Sequence, residues 1–539
     1  MLYILFSTIV LLPVFAGFGG IFNKIFGDFF QEISGKLLSG LFSIAVIFTI
    51  TAFFFPLDVY IELGIVSIGL ASFFYFKIYK EFWEFFAKNK FYFVIISFFT
   101  LFFGSYYPFI LDHFGYYMPT IKWIAEVGLV QGISNLDLIL GQMSIWHILQ
   151  AGFSNFTDPF LRLNVVVLII YLIYIFEKKS WIHLFFLPIL FLFSQSPSPD
   201  LPVMVFSLIV LNEIFSSNKK AGKLLVFSFF IFALKPTMIW VPILVFLYSL
   251  LILKTKLKYI IPGVLLMILF LFKNIYTFGF PVFPVQFLDF NFSWKPNSEL
   301  LKNSSEMAIL KTYDMQFSFS EISKFSTFDY VKNWLFLDGM KGRIHQFFML
   351  SLIVFFLFSL KKNSKIIWLI FISILLKSVL VIIFSAQYRF FIDVFFVIFF
   401  VFFYQKFSKQ FSLMIFSVLT IFFGIFLSFP NLVQTHLPSF KLGNFMKGFN
   451  KNQWYKPSGF KLKKYKTHQI GNLRFNVVEN YPFSFDTPIP AISPGFIKED
   501  LDAGIFPQLK GKTIKEGFIW RKITEEEKAK ILIILEDFK

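Results

Sequence analysis

Apolar residues along this chain come in long unbroken stretches, separated by short polar ones. Soluble strands and helices instead alternate or keep one polar face. A bilayer core about 30 Å thick needs about 20 apolar residues per helix, and fewer where a helix is packed inside a bundle. The stretches that qualify are 1–22, 36–56, 58–77, 91–110, 164–176, 181–194, 201–215, 223–234, 236–253, 257–272, 346–360, 365–385, 390–404 and 411–429. They predict about fourteen transmembrane helices, with a kinked or broken helix at Pro236. The first stretch lacks a basic start and a small-residue cleavage site, so it reads as a retained span.

The polar intervals divide the rest. Residues 1–110 form N-terminal spans, 111–163 a first large loop, 164–272 central spans, 273–345 a second large loop, 346–429 C-terminal spans and 430–539 a soluble domain. In the first loop Ile121, Trp123, Ile124, Val127 and Leu129 have helical spacing, as do Leu136, Leu140, Met143, Ile145 and Ile148. Gly128, Gly132 and Gly141 are the breaks, which predicts amphipathic helices lying along the membrane surface. The tail reads as strands at Phe460–Lys466 and Leu473–Val478, a turn-rich DTPIPAISPG stretch, and a charged helix near Glu525–Asp537. The expected fold is an all-α polytopic membrane protein with a small C-terminal α+β domain.

Composition supports this class: 57% of residues are hydrophobic, 15% are charged, and mean hydropathy is +0.71. A soluble globule carries about a quarter charged residues. With no Cys, disulfides, thiolate nucleophiles and Cys-ligated metals are excluded. The net charge of +18 suggests nucleic acid until its distribution is traced. Lys24 and Lys36, Lys77 to Lys90, Lys178 and Lys179, Lys219 to Lys223, Lys254 to Lys258, Lys361 to Lys365, and Lys406 and Lys409 all fall on one set of alternate loops. The short loops of the other set hold only Lys235 and Arg389. By the positive-inside rule the Lys-rich set is cytoplasmic. The N-terminus, both large loops and the tail then face outward, which for a bacterial inner membrane is the periplasm. A nucleic-acid role has little support when the cations are so dispersed.

That orientation gathers the chemically unusual residues on the outer face. Asp112 lies just beyond an apolar helix, within reach of a lipid-borne substrate. Asp112, Glu126 and Asp137 can equally be solvated or cap helices. Lys235, Lys273 with Asn274, and Arg389 are cations on the face opposite the topological bias, and such cations suit phosphate or diphosphate. Lys377 and Asp393 lie inside predicted spans and belong either to the site or to a buried structural pair.

The arrangement resembles the C-type (GT-C) membrane glycosyltransferase superfamily, and more closely an uncharacterised bacterial family of polytopic membrane proteins distantly related to it. The likeness spans about residues 90–520 and rests on the order of weak motifs. These are Asp112, Tyr116, Pro119 and Ile121-Lys122-Trp123, then Gly128, Gly132, Asn135-Leu136 and Trp146. Lys273-Asn274, Gly279-Phe280-Pro281, Trp294-Lys295-Pro296, Arg389-Phe390 and Thr487-Pro488-Ile489-Pro490 follow. Departures are Tyr117 where the pattern has His, and Asp137 and Ile139 where it has His and Arg. No Asp-x-Asp or Glu-x-Asp pair occurs in the first loop, so no metal or other cofactor is expected, although a divalent ion is not excluded.

The resemblance implies a transferase that takes a sugar from a polyprenyl-phosphate-linked donor. Asp112 is then the catalytic base, with the phosphate held by Lys235, Lys273 or Arg389. Tyr116, Lys122, Trp123, Asn135, Asp137, Trp146 and Asn274 complete the expected substrate-binding set, the aromatic residues serving equally well as an interfacial belt. Two other readings stay open. One is an O-antigen or polysaccharide polymerase or ligase using Lys273, Arg343 and His345; the other is a lipid-linked sugar flippase, which calls for inverted repeats. The tail either recognises an acceptor or stabilises the large loops.

Overall fold

Long apolar stretches become helices because a backbone without water must satisfy its own hydrogen bonds. The computed structural model describes residues 1–30, 32–436, 445–460 and 464–536. Among these, seven helices are long and apolar enough to cross a membrane: Leu2–Phe26, Glu32–Phe54, Ile78–Gly104, Leu257–Phe278, Met340–Lys362, Lys365–Phe384 and Lys409–Ser428. The protein is a multi-pass membrane protein.

The other apolar stretches, expected to bring the count to about fourteen spans, are shorter and mostly interior. Leu163–Lys178 is buried from Leu163 to Phe176, and Asp200–Phe215 from Leu201 to Ile214. A helix of 16 residues is only about 24 Å long. These two owe their all-round apolar surface to protein neighbours rather than lipid. Stretch 181–194 folds as three short turns instead of a span. The break at Pro236 is real: Lys235 is extended between Ala221–Leu234 and the turn Pro236–Met238. Proline lacks the N–H that would continue the first helix and disfavours a helical residue before it.

The first three helices pack backbone to backbone. A Cβ on Gly40 would lie 1.7 Å from the carbonyl oxygen of Phe15, and one on Gly17 would lie 1.9 Å from that of Gly69. Small residues permit this approach, which gains dispersion contacts where lipid offers no hydrophobic drive. The third helix, Val59–Tyr75, carries the fully buried Glu62. Its carboxylate accepts the backbone N–H groups of Asn155, Phe156 and Thr157 at 2.9, 3.3 and 2.7 Å. Nearby, the Arg162 guanidinium donates to the carbonyls of Gly104, Phe160, Tyr106 and Ser458. That one side chain ties a span end, the first large loop and the tail together.

The tail holds two antiparallel hairpins, β1 (Tyr465–Ile470) with β2 (Leu473–Val478), and β3 (Ile505–Leu509) with β4 (Phe518–Lys522). Gly471 makes the tight turn of the first at φ +58°, a conformation that suits glycine. Helices Pro494–Asp502 and Glu525–Glu536 pack on them. The expected strand Phe460–Lys466 starts later, and its residues 461–463 lie outside the described residues, as does Asp537.

The first large loop, expected as amphipathic helices along the membrane surface, is covered on both faces. Trp123, Val130, Ile133, Leu136 and Leu140 share one core with Phe475, Phe506, Phe518 and Ile531 of the tail. Ile121, Ile124, Leu129, Met143, Ile145 and Ile148 face the helical bundle. The loop is a layer between bundle and tail, apolar on both sides.

Candidate substrate cleft

The cleft forms at one end of the bundle. Helix Ile78–Gly104 runs from the Lys-rich loop to Gly104, and Asp112 follows beyond its far end. The next turn, His113–Tyr117, is a π-helical one, a wide turn often found at functional sites. Its width sets Asp112, Tyr116 and Tyr117 around the same opening. Lys235 arrives from the break before Pro236, Asp200 from the first turn of Asp200–Phe215, and Arg389 from the short turn Tyr388–Phe390. Each lies at the end of its helix away from the Lys-rich loops.

The outer part of the cleft is lined by Asp112, Tyr116, Tyr117, Ser144, His147, Asp200, Lys235, Arg389 and neighbours. An inner part shares Asp200, Lys235, Arg389 and Phe390 and continues to Asp393. Its other walls are mostly apolar: Phe193, Val203, Met204, Met238 and Ile392.

Two ion pairs face each other here. Arg389 Nη1 donates to Asp112 Oδ2 at 3.0 Å, and Lys235 Nζ donates to Asp200 Oδ1. Phe390 lies beside both cations, with its ring centroid 5.1 Å from Arg389 Cζ and 5.2 Å from Lys235 Nζ. Ser198 Oγ donates to Asp200 Oδ2 at 3.0 Å and accepts from Tyr117 Oη at 3.4 Å. Burial first, then the nearby carboxylates, pushes the Tyr117 hydroxyl far above its usual range; burial does the same for Tyr116. Both phenols stay protonated and can donate. The four ionised groups sum to zero charge, so an anion entering the cleft competes with a carboxylate for each cation.

Of the residues expected at the site, Asp112, Tyr116, Lys235 and Arg389 meet in the cleft. The others bond to backbone groups or pack in the cores. Lys122 donates to the carbonyl of Asp486 at 2.7 Å, and Trp123 packs edge-on against Phe518. Asn135 Nδ2 reaches the carbonyls of Gly132, Trp294 and Phe518, joining both loops to the tail. Asp137 caps Ile139, Trp146 is buried in the main core, and Asn274 donates to the carbonyl of Pro281 at 2.7 Å. Lys273 is buried and donates to the carbonyl of Met143. Lys377 and Asp393 form a buried ion pair, with Trp240 Nε1 donating to Asp393 at 2.8 Å, and Asp393 also lines the inner cleft.

Sequence reasoning missed Asp200, Ser144 and His147, and met Phe390 only as half of the Arg389-Phe390 motif. The available signal for Asp200 was a lone acid opening an apolar stretch on the face already under suspicion. Among the described residues no group of three or more His, Asp or Glu is arranged to hold a metal ion.

The family described as "Domain of unknown function (DUF8201)" matches residues 1–396. The chain belongs to this family. The DUF8201 match takes in Asp112, Asp200, Lys235 and Arg389, and so the whole cleft, while the tail with its two hairpins lies beyond it. No curated protein matches the chain, and no solved structure matches it.

Proposed function

We propose that this protein is a GT-C-like membrane glycosyltransferase that moves a sugar from a polyprenyl-phosphate-linked donor to an acceptor at the periplasmic face of a bacterial inner membrane. The observation that carries this reading is the meeting of Asp112, Arg389, Asp200 and Lys235 in one cleft at the end of the bundle away from the Lys-rich loops. The seven long spans and the shorter helices packed among them, with the N-terminus and tail outside, complete the arrangement.

In this mechanism the donor phosphate takes Arg389 and Lys235 from their carboxylates. Asp112, released, accepts the proton of an acceptor hydroxyl. That oxygen bonds to the anomeric carbon as the carbon–phosphate-oxygen bond breaks, with inversion. The electron pair leaves on the phosphate, whose growing charge the two cations offset. The apolar side of the inner cleft, at Phe193, Val203, Met204, Met238 and Ile392, suits the first isoprene unit of the carrier.

The test is turnover of lipid-linked saccharides in cells whose own copy carries Asp112→Asn. Polyprenyl-linked sugar should accumulate, at unchanged protein level, because a lost general base costs about 10²–10⁴ in rate. Turnover equal to wild type would sink the assignment. For the polymerase reading, Lys273, Arg343 and His345 bring no support, since none lines the cleft and His345 is stacked on Trp334 at 4.3 Å.

A further inference from the structure

His147 belongs to helix Ile145–Ala151, which opens with a reciprocal cap: Ser144 Oγ accepts from Trp146 N at 3.0 Å, and His147 Nδ1 accepts from Ser144 N at 3.3 Å. That second bond fixes the tautomer. A ring whose Nδ1 accepts a backbone N–H carries its proton on Nε2. Burial, then the nearby Lys273 charge, holds the imidazole neutral by lowering its pKa to about 3. The ring is 0% exposed, packs against Tyr116 and Tyr117 at 5.7 and 4.9 Å, and lines the outer cleft. Yet Nε2–H has no acceptor among the described residues. A buried donor left unmade costs about 1–3 kcal/mol, so an orphan on a cleft wall calls for a ligand.

The two cations of the cleft are each neutralised by an aspartate, so an oxygen ligand must displace a carboxylate to reach either of them. The wall at His147 presents a fixed N–H donor that needs no such exchange.

We propose that His147 Nε2–H forms a donor subsite that binds a phosphoryl oxygen of the substrate. His147 is then a binding residue for the leaving phosphate. This rests on the transferase reading for the identity of the anion, and it adds a contact separate from the Arg389 and Lys235 pair.

The experiment titrates the full-length protein in detergent with geranyl phosphate, and with geraniol as the uncharged control. His147→Leu removes the donor; His147→Gln keeps an N–H near the Nε2 position. Leu should weaken geranyl phosphate binding about tenfold or more, as expected for a hydrogen bond to a charged group. Gln should stay within about threefold of wild type, and geraniol should not discriminate. Equal binding by the Leu variant overturns the proposal. If that variant does not fold, the His147 Nε2–H resonance of ¹⁵N-histidine-labelled wild type decides. It should move with geranyl phosphate but not geraniol, and a resonance that stays still overturns the subsite. Binding lost in Arg389→Gln but kept in His147→Leu removes the subsite and leaves the transferase reading standing. No binding by wild type removes both.

Discussion

Arg389 Nη1 and Asp112 Oδ2 lie 3.0 Å apart although 277 residues separate them, and both line the same cleft. The side chains are 41% and 30% exposed, so solvent screens the pair. Such pairs contribute about 0–1 kcal/mol to stability. Arg389→Gln should therefore leave the unfolding temperature nearly unchanged in an intrinsic-fluorescence melt. Lipid-linked sugar turnover should fall at least about a hundredfold, the loss expected when a charge-stabilising group is removed. Parallel small losses in both measurements would mean the pair is only a surface strut.

The Lys377–Asp393 pair is the opposite case. Its side chains are 1% and 7% exposed, and Asp393 also takes the Trp240 N–H. Asp393→Ala strands an ammonium inside the bundle and should cost about 3–5 kcal/mol. The double variant Lys377→Met, Asp393→Leu should recover most of that in equilibrium unfolding in mixed micelles. A double variant as unstable as the single would mean the cost lies in lost packing.

Gly40→Val tests the close helix contact. Since even a Cβ would lie 1.7 Å from the Phe15 carbonyl, the first two helices must separate. Overpacking of this kind costs about 1–3 kcal/mol. Gly64→Val, where a Cβ meets nothing within 4 Å, should melt like wild type. Similar melts for Gly40→Val and wild type would contradict the packing described.

Acid pairs at the join between loop and tail set a pH dependence. Burial first, then Asp137 and Glu499, raises the Asp500 carboxyl well above the usual carboxylate range. Burial also raises Asp137. A carboxyl raised on folding stabilises the folded form only while protonated, so that contribution is lost as pH rises from the unfolded pKa through the folded one. Asp500→Asn should raise the melting temperature at pH 7.5, with the gain shrinking toward pH 4. A gain that grows on acidification would reverse the sign and refute the account.

Much of the fold is written in local pattern. Leu473–Val478 alternates and is a strand, and Pro236 breaks a helix where the sequence says it must. The burial of Leu163–Lys178 is not local: an apolar run reads alike whether lipid or protein surrounds it. The site divides the same way. Lys235 and Arg389 stood out because their charge defies the bias of their face, and Asp112 because it lies just beyond an apolar helix on that face. Asn135 and Trp294 did not declare their role, since a polar group that holds a carbonyl looks like one that holds a substrate. Asp200 was hidden because its partner is set by helix packing, and His147 because its meaning lies in one unpaired nitrogen.

The core shared by the first large loop and the tail bears on the order of events during synthesis. Asn135 bonds the carbonyl of Phe518, which leaves the ribosome 383 residues later. Until then Trp123, Leu136 and Leu140 lack that cover, and Phe114, two residues after Asp112, lacks Phe445 and Phe485. Chains stopped after the last span would reach the membrane with every cleft residue translated and one face of the first large loop bare. The C-terminal hairpin is thus the last fastener of an assembly whose other parts were made long before.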